Sequence, residues 1–209
     1  MFTGIIQAVG EVAAIEQTGG DVKLRIKTGD LPLEDVRLGD SIATNGVCLT
    51  VTELPGDGYW ADVSTETLSL TSLKSTVVGS AVNLEKSLTP TTALGGHLVS
   101  GHVDGLGRVV GLTRDARSWR VSIEAPSDLA RYIAQKGSIC VDGTSLTVNS
   151  VADHAQGCEI SINLIPHTVQ NTALHRLSAG AKVNLEIDLI ARYVERMLRA
   201  DPSLAPPQP

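Results

Sequence analysis

Residues 41–51 read SIATNGVCLTV and residues 138–148 read SICVDGTSLTV, two versions of one segment 97 positions apart. Asn45-Gly46 falls on Asp142-Gly143, Cys48 on Ser145 and Thr50 on Thr147. Asn-Gly and Asp-Gly between apolar, β-branched runs are the strongest short signal for a tight β-hairpin turn, because both central residues of that turn need positive φ. The likeness extends outward in both directions. MFTGIIQAVGEV at 1–12 lies over LVSGHVDGLGRV at 98–109 with the same displacement, matching Gly4 with Gly101, Gly10 with Gly107 and Val12 with Val109. TLSLTSLKSTVVGSAVNLE at 67–85 lies over TVQNTALHRLSAGAKVNLE at 168–186, where the displacement has grown to 101, so the second half carries four extra residues in the loops before it. An internal repeat of this length implies two copies of one fold.

Each copy consists of short runs rich in Val, Ile, Leu and Thr, broken by glycine turns about every ten residues, which reads as antiparallel strands. VKLRIKT from Val22 and WRVSIEA from Trp119 alternate in polarity as half-buried strands do. The predicted fold is all-β: two tandem, similar, six-stranded antiparallel Greek-key barrels, closure being how a small β unit removes its edges. The first barrel takes residues 1–97 and the second 98–187, with the boundary at Gly95-Gly96-His97. Short helical pieces are expected at LPLEDV from Leu31 and SDLARYIAQ from Ser127. Residues 188–200, DLIARYVERMLRA, have no counterpart in the first half and place Ile190, Val194, Met197 and Leu198 on one face of a helix. That face either meets copies of itself in an oligomer or folds onto the second barrel. The tail 201–209, DPSLAPPQP, is too rich in proline to pack and is expected to be disordered.

Composition narrows the function. At 209 residues, 42% hydrophobic and 19% charged, the chain has the make-up of a globular protein. A net charge of -6 with scattered Lys and Arg argues against nucleic acid and anionic membrane as partners. No run is long enough to cross a bilayer and the N-terminus lacks the pattern of a signal peptide, so a cytoplasmic location is expected. Cys48, Cys140 and Cys158 are odd in number and unclustered, pointing to neither disulfides nor a zinc site. With six aromatic residues, a planar ligand would be held mainly by backbone hydrogen bonds and aliphatic walls.

MFTGI at the start, the paired NGVCLTV and DGTSLTV, GGHLVSGHVDG from Gly95 and LIPHT from Leu164 together resemble the riboflavin synthase family over the whole chain up to the proline tail. The resemblance implies a homotrimer of two-barrel subunits held by the C-terminal helices. Each barrel would bind one ribityl-lumazine, and catalysis would lie between the first barrel of one subunit and the second of its neighbour. It also implies a dismutation: two 6,7-dimethyl-8-ribityllumazine molecules give one riboflavin and one 5-amino-6-ribitylamino-pyrimidinedione by transfer of four carbons. A reaction between two identical molecules needs two similar pockets, which a duplicated domain supplies. The methyl on ring carbon seven is acidic because its anion is delocalised over the pteridine, so the substrate is its own electron sink. Proximity, proton transfer and hydrogen bonds to developing charge then suffice, and neither cofactor nor metal is expected.

The resemblance places the site on particular residues. Gly4, Ile5 and Ile6 are expected to read the ring edge in the first barrel, with Asp62, Val63, Ser64, Thr65, Glu66 and Thr67. Gly101, His102 and Val103 are expected to do so in the second, with Asn163, Leu164, Ile165, Pro166 and His167. Cys48, Leu49 and Thr50 in one pocket and Ser145, Leu146 and Thr147 in the other are expected at equivalent positions, and Cys48 and Ser145 are expected to aid nucleophile addition at ring carbon seven. His102 is the expected acid/base, and Ile5 stands at its place in the first copy. His97, five residues before it, is read as lying on the opposite strand face, so the two make no metal pair. Thr147, Ser41, Lys136 and Asp188 are carried over as polar groups around the site. Ser64, Thr65, Thr67, His167 and Thr168 could partner the ribityl hydroxyls.

Each residue also has a bland role: a buried cysteine as a small hydrophobe, a strand threonine for β propensity, surface positions for Ser41, Lys136 and Asp188. At the level of the whole chain the alternatives are a lumazine- or flavin-binding protein without turnover, and an oligomerisation module without a ligand. Association with a lumazine synthase shell is a further partner the resemblance raises.

Overall fold

The structure is a computed structural model and describes residues 1–200; the expectation of a disordered tail falls on 201–209, outside the described residues. The repeat is a repeat of topology. The first half forms β1 (Ala8–Thr18), β2 (Asp21–Lys27), β3 (Ser41–Thr44), β4 (Val47–Glu53), β5 (Gly58–Val63) and β6 (Ala81–Lys86). The second half forms β7 (Gly105–Asp115), β8 (Ser118–Pro126), β9 (Ser138–Val141), β10 (Thr144–His154), β11 (Gly157–Leu164) and β12 (Lys182–Ile187). Each set closes into a barrel, in the order β1-β2-β5-β4-β3-β6 and the corresponding β7-β8-β11-β10-β9-β12, all pairs antiparallel. The predicted fold is thus the observed one. The four extra residues lengthen one hairpin: β10 and β11 run to 11 and 8 residues where β4 and β5 have 7 and 6.

Strand alternation fills each barrel. In β4, Val47, Leu49 and Val51 point inward while Cys48 and Thr50 point out, and in β10 Leu146 and Val148 point inward while Ser145 and Thr147 point out. Each aliphatic side chain so buried contributes roughly 1.5–3 kcal/mol, and the inward sets form one continuous core per barrel.

The two barrels interlock about a pseudo-twofold axis at their Asn-Gly and Asp-Gly turns. Asn83 Nδ2 donates to the Asp142 carbonyl and Asn184 Nδ2 to that of Asn45, each at 2.8 Å. A side chain on Gly46 would meet the backbone of Gly143 at 2.8 Å, so only glycine allows the turns to touch. The leading segments join as well, with Phe2 N donating to Val99 O at 2.7 Å and Val99 N to Phe2 O at 3.1 Å.

The helices depart from expectation. Residues 31–36 form single turns, since Pro32 has no amide to donate and biases Leu31 toward extended backbone. Helix α2 (Ser127–Ala130) does form. Sequence reading missed α1 (Thr65–Leu70) and α3 (Pro166–Asn171), at matching places after β5 and β11. Their signals were Ser64 as an N-cap accepting from Thr67 N, and Pro166 at the first helical position. Helix α4 (Leu189–Ala200) is tied to its own second barrel by polar contacts, Arg192 Nη2 to Asp104 Oδ1 at 2.6 Å and Arg131 Nη1 to Glu195 Oε1 at 3.2 Å. Its apolar face, with Ile190, Tyr193, Val194 and Met197, is left exposed. None of the described helices is long and apolar enough to cross a membrane.

Candidate functional site

The outward residues of β4 and β10 find their neighbours across the repeat. Cys48 N donates to Gly101 O at 2.8 Å, and Ser145 N donates to Gly4 O at 2.7 Å. The leading segment of each half therefore crosses to the other half's barrel. This corrects the assignment of Gly4, Ile5 and Ile6 to the first barrel and of Gly101, His102 and Val103 to the second. Both glycines have positive φ, +75° at Gly4 and +80° at Gly101. A Cβ on Gly101 would lie 2.7 Å from Cys48 Cβ, and one on Gly4 2.6 Å from Ser145 Cβ. Backbone comes this close only without a side chain.

On the first barrel the result is a pocket of about 260 Å³ lined by Cys48, Glu66, Thr67, Gly101, His102 and Val103, among others. Helix α1 forms one wall, bringing Glu66 and Thr67 to it from its first turn, whereas Ser64 and Thr65 are exposed at the helix start outside the lining. His102 is exposed, its amide donating to Ser100 Oγ at 3.3 Å. Cys48 is half-buried against a small apolar cluster of Phe2, Ala43, Val99 and Cys140.

On the second barrel the outward groups are Ser145 and Thr147, with α3 in the place of α1. Ser145 Oγ is 2.7 Å from Nδ1 of His97, whose ring is buried and whose Nε2 has no partner among the described residues. Burial pushes the His97 imidazole below its ordinary value, against the opposing charges of Asp188 and Glu186, so the ring is neutral near pH 7. A neutral imidazole on a hydroxyl can accept its proton, which gives Ser145 a base that Cys48 lacks in its own segment. His97 was missed as a site residue because its counterpart under the 97-residue displacement would precede Met1, so the repeat could not flag it. Asp188 belongs here: its Oδ1 accepts from Ile190 N at 2.9 Å, starting α4, while its charge acts on His97.

Other predicted residues are placed differently. Leu49, Val63, Leu146 and Leu164 point into the barrel cores, so only their backbone can meet a ligand. Asp62 and Asn163 are exposed near the ends of β5 and β11. Ile165 caps α3, followed by Pro166 and exposed His167. Ser41 pairs with Thr50 at the far end of the β3–β4 hairpin from Cys48. Lys136 is exposed with φ 67°, where the first half has Gly39. A larger cleft, about 750 Å³, opens between residues 27–34 and 54–57, but it gathers none of the polar groups singled out above.

The sequence matches the family model described as the lumazine binding domain twice, over residues 3–87 and 100–188. Among curated proteins it is 48% identical to a riboflavin synthase of Photobacterium phosphoreum, over 96% of this chain and 90% of that one. A riboflavin synthase of Mycobacterium bovis is 45% identical over 96% of this chain and 99% of its own, and that of Bacillus subtilis 40% over 95% and 90%. Among solved structures, LumP complexed with 6,7-dimethyl-8-(1'-D-ribityl) lumazine superposes with a TM-score of 0.78 at 28% identity, covering 90% of this chain and 99% of that one. LumP complexed with riboflavin gives 0.80 at the same identity and coverage. With two lumazine-binding repeats in register and full-length relatives at this identity, the chain belongs to the riboflavin synthase family.

Proposed function

We propose that the chain catalyses the dismutation of two 6,7-dimethyl-8-ribityllumazine molecules into riboflavin and 5-amino-6-ribitylamino-pyrimidinedione. The observation that carries this reading is the pair of crossing segments with unlike polar groups, Cys48 with His102 in the pocket on the first barrel and Ser145 with His97 at the matching place on the second. Two similar cradles suit two copies of one molecule, and unlike polar groups suit their unlike fates. One molecule must lose a proton from its ring-carbon-seven methyl, and the other must accept a nucleophile at that carbon. His97 Nδ1 takes the Ser145 hydroxyl proton, making Oγ either the relay for the first event or the nucleophile for the second. His102 supplies a second titratable group at the other ring. In this reading Thr67 and Thr168, on α1 and α3, bind the ribityl chains.

The two pockets that react belong to different subunits in this reading. The exposed Ile190, Tyr193, Val194 and Met197 of α4 form the contact of a homotrimer, each helix held in place by its polar ties to the second barrel. In this reading residues 1–97 and 98–187 remain the two repeat units, with their leading segments crossing between the barrels, the free thiols fit a reducing cytoplasm, and a lumazine synthase shell is a further partner. The competing reading, binding without turnover, is favoured by the ligand-bound LumP structures. Incubation of the protein with the lumazine, without added cofactor, separates the two. Loss of lumazine absorbance with growth of riboflavin fluorescence supports the enzyme; uptake without product supports the binder.

A further inference from the structure

We propose that Glu85 and Glu186 are positioning residues, each fixing the backbone segment that crosses onto the opposite barrel, beside Ser145 and beside Cys48; this builds on the reading of those two places as lumazine sites. Both carboxylates are buried, on the last strand of their own barrels, β6 and β12. Glu85 accepts from Thr3 N at 2.7 Å and Thr3 Oγ1 at 2.6 Å on Oε1, and from Gly4 N at 2.9 Å on Oε2. Glu186 accepts from Ser100 N at 2.6 Å and Ser100 Oγ at 2.7 Å on Oε1, and from Gly101 N at 3.0 Å on Oε2. The same two hydroxyls accept from the next pocket residues, Thr3 from Ile5 N at 3.1 Å and Ser100 from His102 N at 3.3 Å.

The path then leaves the barrel that holds the carboxylate. From Glu85 it runs through Thr3 and Gly4 to the amide of Ser145 on β10. From Glu186 it runs through Ser100 and Gly101 to the amide of Cys48 on β4. Every one of the six contacts is a donor to the carboxylate, so both oxygens must accept. A glutamine would turn its NH2 toward at least one N–H or hydroxyl, and the clamp would open. Burying a carboxylate is a poor way to gain stability alone, since an apolar side chain of similar size serves as well. A crossed clamp that sets pocket geometry accounts for both.

Amide hydrogen exchange on the full-length variants Glu85→Gln and Glu186→Gln tests this without a ligand. In E85Q exchange at the Ser145 amide should accelerate about tenfold or more while Cys48 stays near its original rate, and in E186Q the pattern should reverse. A role confined to its own barrel predicts the opposite, because Glu85 pairs with Ala43 beside the Cys48 strand. Loosening of Cys48 by E85Q, or equal loosening of both amides by either change, would overturn the proposal. Where a glutamine variant does not fold, Thr3→Val and Ser100→Ala remove one bond of each clamp, and should give the same crossed pattern at about threefold; an uncrossed pattern there overturns it equally.

Alkylation of Cys48 with riboflavin present adds the ligand. Protection should persist in E85Q and weaken about tenfold in E186Q. Protection lost in E85Q would count against the proposal. No protection in the unsubstituted protein would instead count against the lumazine reading of that pocket, and the exchange result would still judge the clamp.

Discussion

Replacing Asp142 by asparagine should stabilise the protein, by an amount that grows as pH rises from about 4 to about 7. Asp142 sits in the β9–β10 turn with φ 44°, half-buried at the junction of the barrels. Its Oδ1 accepts from Asn184 N at 2.7 Å, as Asn45 Oδ1 in the first half accepts from Asn83 N at 2.8 Å. Burial raises the carboxyl from 3.8 to about 7, only partly opposed by the Asn184 hydrogen bond. An acid with a raised folded-state pKa stabilises the fold fully below its unfolded value, and that stability is lost as pH rises toward the folded value. The window therefore runs from about pH 4 to about pH 7. At ~1.4 kcal/mol per pH unit the loss reaches a few kcal/mol above pH 7. Asparagine keeps the acceptor oxygen and the turn conformation without a charge, as the first half already does. Urea or thermal melts of both proteins at about pH 4.5 and about pH 8 should differ by no more than about 1 kcal/mol at the lower pH and separate at the higher by roughly 2–4 kcal/mol, some 4–15 °C in a chain of this size. A gain independent of pH would show that folding does not shift the carboxyl, and a loss at pH 8 would show that the turn holds the carboxylate ionised and well partnered.

His97→Gln should lower kcat by about a hundredfold or more and flatten the acid limb of its pH profile, a limb that lies below the ordinary histidine value because burial depresses the ring; an unchanged limb would remove His97 from proton transfer. His102→Gln should slow turnover far more than it weakens riboflavin binding, as steady-state rates and fluorescence titration would register; equal effects would make it a binding group only. Gly101→Ala should cost about 1–2 kcal/mol in left-handed strain, beyond a clash with Cys48, and abolish riboflavin protection of that thiol; unaltered protection would mean that the loop can withdraw. Lys136→Gly should relieve about 1 kcal/mol of strain at φ 67° and weaken ligand binding, measured by melting and titration; tighter binding would count against Lys136 as a ligand contact.

The barrels were legible because the duplication doubles every signal. One Asn-Gly turn is a hint, but Asn45-Gly46 and Asp142-Gly143 in register, each followed by Leu-Thr-Val, fix the same hairpin twice. Polar outward residues were legible for the same reason, so Cys48, Thr50, Ser145 and Thr147 all lie on the outer faces of β4 and β10. The crossing was not legible. Aligning the halves assigns Gly4 to the barrel that follows it in the chain, whereas its partner is chosen in space, by Glu85 on one side and Ser145 on the other. Helices α1 and α3 escaped because each is six residues long with no buried side chain, too short to show an apolar period.

The same comparison shows where the copies have diverged, and it is at their tips. Turns, clamps and barrel order are shared: Thr3 and Ser100, Gly4 and Gly101, Glu85 and Glu186, Asn83 and Asn184 make equivalent contacts. The groups on and beside the crossing segments are unlike: Ile5 against His102, Cys48 against Ser145, and His97 with no counterpart at all. A binding module for one ligand has no need for such a difference, since identical cradles bind identical molecules equally well. A reaction in which two identical molecules take opposite parts does need it, because the site must choose which one gives up carbon. Conserved scaffold with divergent tips is therefore what the chemistry requires of a duplicated chain. Exchanging the tips, Ile5→His with His102→Ile, should leave both cradles able to bind riboflavin while turnover collapses.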